Sequence, residues 1–252
     1  MQHTIPTIEQ FRSYAAGCLI REYKHDTLPL IGFCYSKLFE MKVHEGAAQW
    51  DNVTRYARGV VFDANTGELV AFPFPKFFHI NNHEETRIEN LPNLPFTATT
   101  KEDGSLIIVF NYKGQWIAST KGAFHSDQAN WAMQFMQSNF VQPLNHLGVD
   151  NTYLFEGIYP TNRIVVDYGD FSGLKFIGAY SRVLRTEITD SVYPYISSHI
   201  PCATLHYLSI PEMIELCKTL PGTMQEGFVL RFTNGLRVKI KGKDYCSLHR
   251  VV

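Results

Sequence analysis

Lys101 stands at the mouth of an apolar run, in T-T-K-E-D-G-S-L-I-I-V-F, with Glu102 and Asp103 directly after it. A lysine so placed is either a solvated strand end or an amine available for nucleophilic attack. An ordinary lysine is almost wholly protonated near neutral pH, its reference pKa being about 10.4. Nearby cations and partial desolvation favour the neutral amine, and with it nucleophilic chemistry. Gly104 permits the close backbone approach that the mouth of a nucleotide pocket needs. Near the other end, L-R-V-K-I-K-G alternates Leu236, Val238 and Ile240 with Arg237, Lys239 and Lys241. Strand periodicity puts the apolar residues on one face and the cations on the other. The cationic face is either wet or relieved of its own repulsion by an anion such as phosphate. His79 and His83 lie four residues apart, but residue 80 is Ile and no third ligand is evident. They read as surface or core histidines, not as a zinc pair. Neither a G-x-S-x-G nor a Ser-His-Asp pattern occurs.

These residues need strands and turns to hold them. R-G-V-V-F-D-A-N-T-G-E-L-V-A-F reads as strand, turn at Asn65–Gly67, strand. S-L-I-I-V-F-N-Y-K-G-Q-W-I-A-S-T is a second hairpin, turning near Lys113-Gly114. In E-G-F-V-L-R-F-T-N-G-L-R-V-K-I-K-G, Asn234-Gly235 is the dipeptide that a type I′ turn favours. Thr7 and Gln10 form a capping-box signature ahead of Ile8, Phe11, Ala15, Cys18 and Leu19, which predicts a helix over Ile8–Arg21. Ser209 and Glu212 repeat it before M-I-E-L-C-K-T-L, with Gly222 as terminator. A third helix is predicted from Asp127 to Phe140, with Trp131, Phe135 and Met136 toward the core. There is no βαβ alternation and no G-x-G-x-x-G, which leaves an antiparallel α+β domain.

The chain has 252 residues, 45% hydrophobic and 19% charged, so it can bury a substantial core and is not of disordered composition. Its net charge of −1 gives no overall attraction to nucleic acid, so such a partner has to meet a local basic patch. The five cysteines, Cys18, Cys34, Cys202, Cys217 and Cys246, are scattered and make no C-x-x-C pair. That predicts reduced thiols and no structural zinc. The start lacks a secretory signal and no apolar run is long enough to span a bilayer, so the expectation is a cytoplasmic protein without a membrane partner.

K-E-D-G alone is a weak match, but it has company in order. It resembles the nucleotidyltransferase motif of ATP-dependent ligases and RNA capping enzymes. F-E-G-I-Y-P-T-N-R-I-V-V-D-Y at 155–168, E-G-F-V-L-R-F at 226–232 and R-V-K-I-K-G-K-D-Y-C-S-L-H at 237–249 resemble the later motifs of that superfamily. A-R-G-V-V-F-D at 57–63, P-K-F-F-H-I-N at 75–81 and S-T-K-G-A-F at 119–124 match the flanking segments. P-T-N-R-I-V and K-I-K-(x)3-Y-(x)-S-L-H point within it to the RNA ligase 1 family of T-even phages.

The resemblance implies an antiparallel-sheet nucleotidyltransferase (adenylyltransferase) domain of the ATP-grasp-like ligase and capping-enzyme type, with flanking helices. It would be a single domain over 1–252, an N-terminal portion to about 95 and a catalytic core from about 96. It implies an RNA ligase that uses ATP and Mg2+ or Mn2+, joining 5′-phosphate and 3′-hydroxyl RNA ends, broken tRNA among them, as a monomer in the cytoplasm (the host's, if viral). Carried over residue by residue, Lys101 becomes lysyl-AMP. Lys239 and Lys241 contact the α-phosphate and, with the metal, lower the pKa of Lys101. Arg58, Lys76 and Lys121 hold ATP phosphates, and Tyr35 contacts ATP. Asp103 and Gly104 belong to the nucleotide-binding loop, Glu156 lies near the ribose, Glu226 orients metal-bound water and Tyr245 serves sealing. Larger members of the family continue past the closing lysine motif, whereas this chain has eleven residues after Lys241. It is expected to be a compact ligase or the catalytic part of a longer one. Same-chemistry alternatives are a DNA ligase or a GTP-dependent capping-type enzyme. A catalytically idle nucleotide- or RNA-binding module is the alternative from another class.

Overall fold

The computed structural model describes residues 2–189 and 193–251. In chain order the first strands are β1 (Ile20–Lys24), β2 (Leu30–Tyr35), β3 (Arg58–Asp63), β4 (Leu69–Ala71), β5 (Phe78–His79), β6 (Phe96–Lys101) and β7 (Ser105–Tyr112). They are followed by β8 (Gln115–Thr120), β9 (Asn151–Ile158), β10 (Gly173–Ser181), β11 (Thr186–Glu187), β12 (Leu205–His206), β13 (Gly227–Phe232) and β14 (Arg237–Lys241). The helices are α1 (Ile8–Ala16), α2 (Lys37–His44), α3 (Asn52–Tyr56), α4 (Asp127–Asn139), α5 (Val141–His146), α6 (Tyr193–Ser197), α7 (Ile210–Leu216) and α8 (Lys243–Leu248). Among the described residues the strands form three sheets, ordered β1-β2-β3-β4, β11-β10-β9-β7-β8 and β12-β6-β13-β14-β5. Every pairing is antiparallel except the short one between β14 and β5, in keeping with the α+β reading.

Strand β7 shows why the middle sheet is central. Ile108 and Phe110 join the core shared with the first sheet, while Ile107 and Val109 join the core beneath α4. Alternation thus buries both faces of one strand. A third core packs Met213 of α7 on Phe228, Leu230, Val238 and Ile240.

The capping boxes of Thr7 with Gln10 and of Ser209 with Glu212 form as expected. Helix α1 is shorter than predicted. Gly17 caps it, Cys18 turns into the left-handed region at φ 59°, and the chain that follows is needed to pair β1 with β2. Helix α7 ends at Leu216 and not near Gly222. Gly222 instead lies against the start of α8, where a Cβ would come within 2.5 Å of the Tyr245 backbone nitrogen. The turn assignment also moves. Lys113 and Gly114, at φ 51° and 88°, both take the positive φ of a type I′ turn. Asn234 does not; only Gly235 is left-handed there (φ 88°), as in a three-residue loop closed by a bulge. All five cysteines are free.

Candidate active site

Ladder register assembles the centre of the site. Gly227 of β13 pairs with Lys101 on one side and Lys241 on the other, and Val229 pairs with Thr99 and Lys239. Side chains two residues apart on a strand share a face. Lys101, Lys241, Lys239, Thr99 and Val229 therefore line one wall of a cavity of about 650 Å3. The opposite wall comes from the middle sheet, through Ser105, Leu106 and Glu156, and from Ile177. Ile177 is the extra residue of a β-bulge, since Phe176 pairs with Phe155 and Gly178 with Leu154. Bulges re-aim side chains in this way beside functional sites.

Lys101 is ion-paired here, where the sequence reading expects neighbouring cations to favour its neutral amine. Its Nζ donates to Glu226 Oε2 at 2.8 Å, and Lys241 Nζ meets Oε1 of the same carboxylate at 2.6 Å. Burial alone would lower the Lys101 pKa, but Glu226, Glu156 and Asp103 outweigh it and hold the ammonium above the ordinary lysine value. The cation that is depressed is Lys239, pushed down to about 7 by burial and by the charges of Lys101, Lys241, Lys76 and Arg58. The reason is geometric: Lys101 sits on a carboxylate, whereas Lys239, with no carboxylate partner among the described residues, lies over the Phe77 ring, 5.6 Å away. Glu156 accepts the Gly104 N–H at 3.0 Å. Burial pushes its carboxyl up to about 8 against the pull of Lys101, with Glu226 and Asp103 adding to the rise.

The loop after Lys101 is braced from behind. Asp103 accepts the Tyr245 hydroxyl at 2.6 Å and the N–H groups of Val165 and Val166 at 2.9 and 2.8 Å. Its own N–H donates to the Tyr168 hydroxyl at 2.7 Å. Asp103 thus supports the loop, as expected, with Tyr245 holding it, and neither side chain lines the cavity. A Cβ on Gly104 would lie 2.4 Å from the Gly157 carbonyl oxygen, so close packing, not a positive φ, requires glycine there.

The remaining cations come from the first sheet and the loop after β8. In the β2–β3 ladder Phe33 pairs with Val60 but Cys34 pairs with Arg58. The bulge at Gly59 turns Arg58 to the cavity, where its Nε and Nη1 are buried without a hydrogen-bond partner above Phe74 and Phe77. Lys76 and Lys121 line the cavity, and both Nζ atoms donate to the Tyr35 hydroxyl, at 3.4 and 3.3 Å. Tyr35 is thus a spacer behind two cations and does not line the cavity. Arg237, grouped from periodicity with Lys239 and Lys241, is neutralised by Glu187 and bonded to the Tyr180 hydroxyl at 2.8 Å.

Glu226 is 2% exposed, and each of its oxygens meets one lysine. No cluster of three metal-ligating side chains occurs among the described residues. His79 accepts the Lys241 N–H on Nε2 at 3.1 Å and approaches the Ile80 carbonyl through Nδ1 at 3.0 Å, a structural latch.

Sequence reasoning missed Arg21, which lines the cavity and donates to the Gly122 carbonyl at 2.5 Å. It missed Gln128 and the apolar Ile177 and Val229 as well. Arg21 carries no motif, and Ile177 is visible only once the bulge is known. A cluster of cations around one buried lysine, with apolar walls beside it, can bind a polyphosphate attached to a flat base and bring its innermost phosphorus to that amine.

This fold and site define a class. An archaeal ATP-dependent RNA ligase superposes with a TM-score of 0.64 at 13% identity, over 96% of this chain and 63% of that one. An RNA ligase of Naegleria gruberi solved with AMP and Mn gives 0.53 at 13% identity, over 92% and 76%. The chain has the nucleotidyltransferase fold of ATP-dependent RNA ligases. A protein of Autographa californica nuclear polyhedrosis virus, named as a candidate bifunctional polynucleotide kinase/RNA ligase, is 25% identical over 217 residues, 77% of this chain and 30% of that protein. The RNA ligase family matches residues 56–245, and the chain belongs to it. It spans 30% and 31% of the length of two curated relatives that it matches.

Proposed function

We propose that the chain joins RNA ends with ATP, through covalent transfer of AMP to Lys101. The observation that carries this reading is that Lys101 and Lys241 flank Gly227 in the strand ladder and share the Glu226 carboxylate, with Lys239 beside them at the cavity wall. Lys101 Nζ gives up a proton and forms a bond to the α-phosphorus; the bond from that phosphorus to the bridging oxygen breaks, and pyrophosphate leaves. The AMP then passes to an RNA 5′-phosphate, breaking the P–N bond, and a 3′-hydroxyl finally displaces AMP to form the phosphodiester.

In each step negative charge grows around phosphorus, and fixed cations lower its energy most. Lys239 and Lys241 serve the α-phosphate; Arg58, Lys76 and Lys121 serve the outer ones. An arriving triphosphate competes with Glu226 for both of its lysines. The donor set suits a magnesium ion held mainly by nucleotide phosphates and water, with Glu156 or a released Glu226 behind the water. When bound, such an ion supplies further charge neutralisation at phosphorus.

The test is incubation with ATP, magnesium and a single-stranded RNA bearing a 5′-phosphate and a 3′-hydroxyl. Circular or joined RNA with release of AMP is expected. A preference for nicked duplex DNA, or labelling from GTP and not ATP, would contradict this assignment in favour of the DNA ligase or capping reading.

A further inference from the structure

We infer that Glu102 reads the base of the nucleotide, and that Lys175 and Tyr168 position it to accept a hydrogen bond from an exocyclic amine. The inference rests on the nucleotidyl-transfer reading above. Glu102 directly follows Lys101, contributes to the cavity wall and is 4% exposed. One of its oxygens is fully used: Oε2 accepts Lys175 Nζ at 2.9 Å and the Tyr168 hydroxyl at 3.0 Å. The other, Oε1, is buried with no partner. A dry, unpaired acceptor costs free energy that a donor on a ligand would return.

Glu102 is tied to Lys175 and Tyr168, whereas Glu226 pairs with the phosphate-facing Lys101 and Lys241, so Glu102 is assigned to the base end of the cavity. The apolar Ile177 and Val229 line the same cavity and offer surface to a flat ring. The positioning is rigid. Lys175 lies opposite Glu156 in the β9–β10 ladder, with its Nζ over the rings of Tyr168 and Phe171 at 5.0 and 5.5 Å. The Tyr168 hydroxyl is itself fixed by the Asp103 N–H.

A carboxylate with two free oxygens grips guanine through its N1–H and amine together. Glu102 offers one oxygen, which denies that two-point grip and suits the single N6 amine of adenine. Guanine or hypoxanthine would set its O6 acceptor against Oε1, a repulsive pairing. Adenine is therefore the base that fits.

Self-nucleotidylation is measured with α-labelled ATP, with purine-riboside triphosphate, which lacks the amine, and with ITP, which replaces it by a carbonyl. The wild type is expected to favour ATP over both by at least about tenfold. In Glu102→Gln, the donors Lys175 and Tyr168 select the amide oxygen, which turns the NH2 to where Oε1 was. The ATP-to-ITP ratio should then fall by at least about tenfold, and Lys175→Met should lower it as well. Each ratio is taken within one preparation, so a loss of folded protein cancels. Equal use of ATP and purine-riboside triphosphate by the wild type would overturn the inference, as would an unchanged ATP-to-ITP ratio in Glu102→Gln. Wild-type protein that takes label from none of these would instead overturn the ligase reading, and this inference with it.

Discussion

Lys101 is an ion-paired ammonium in this structure, and under the proposed mechanism the activating event would be exchange of Glu226 for the nucleotide beside it. Because its pKa is raised, the attacking amine is a minor form near neutrality. At saturating ATP the rate of self-adenylylation should rise with pH between 6 and 9; a flat profile in a single-turnover experiment would contradict this. Lys239 behaves oppositely. Its folded pKa of about 7 lies below the unfolded value, so the buried ammonium destabilises the fold fully below pH 7, and the cost fades as pH rises toward the ordinary lysine range. Lys239→Met should therefore stabilise the protein by about 2 kcal/mol at pH 6 and by less at pH 9, while depressing adenylylation. Urea melts at the two pH values test the sign. Binding of a triphosphate restores the charge of Lys239, so nucleotide affinity should weaken as pH climbs above 7, with proton uptake visible by calorimetry in buffers of different ionisation heat. The placement of Lys101 at the cavity with Lys239 and Lys241 was legible in K-E-D-G and its companion motifs. Its charge state was not, because strand periodicity sets which face a residue takes and says nothing of the carboxylate brought beside it from residue 226.

At the scale of elements, the site depends on two joints. One is the β6–β13–β14 register, which the alternation in L-R-V-K-I-K made legible for the two lysines. For Arg237 the same alternation gives the face, since it lines the cavity with the two lysines, but not the charge, which Glu187 of β11, distant in sequence, neutralises. The other joint is the loop 102–104, held by α8 through Tyr245 and by the 163–168 segment. Tyr245→Phe removes a short hydrogen bond to a buried carboxylate, and about 1–2 kcal/mol of stability should be lost. Any effect on sealing would then run through the loop, so adenylylation and sealing should fall together. Loss of sealing alone would place Tyr245 at the RNA end instead. Gly104→Ala should cost about 1–3 kcal/mol, because β7 and β9 cannot separate without disturbing both cores they divide. The bulges at Gly59 and Ile177 escaped the sequence because a bulge is a property of pairing, and pairing partners are not written locally.

For the whole molecule, a net charge of −1 coexists with a cavity lined by Arg21, Arg58, Lys76, Lys101, Lys121, Arg237, Lys239 and Lys241. The positive charge is concentrated at the site. RNA held chiefly by its end phosphate should show a shallow salt dependence, whereas a steep one would reveal a basic track elsewhere. The α+β class followed from hairpin signals and the lack of βαβ alternation, and the nucleotidyltransferase fold from the ordered motifs. How the first sheet shares its core with β7, β9 and β10 depended on contacts far apart in the chain. The most direct measurement of the central claim is peptide mapping by mass spectrometry after incubation with ATP and magnesium. The account predicts AMP on Lys101, with no adduct in Lys101→Ala although that variant keeps the wild-type fold. AMP on another residue, or undiminished labelling of the variant, would contradict it.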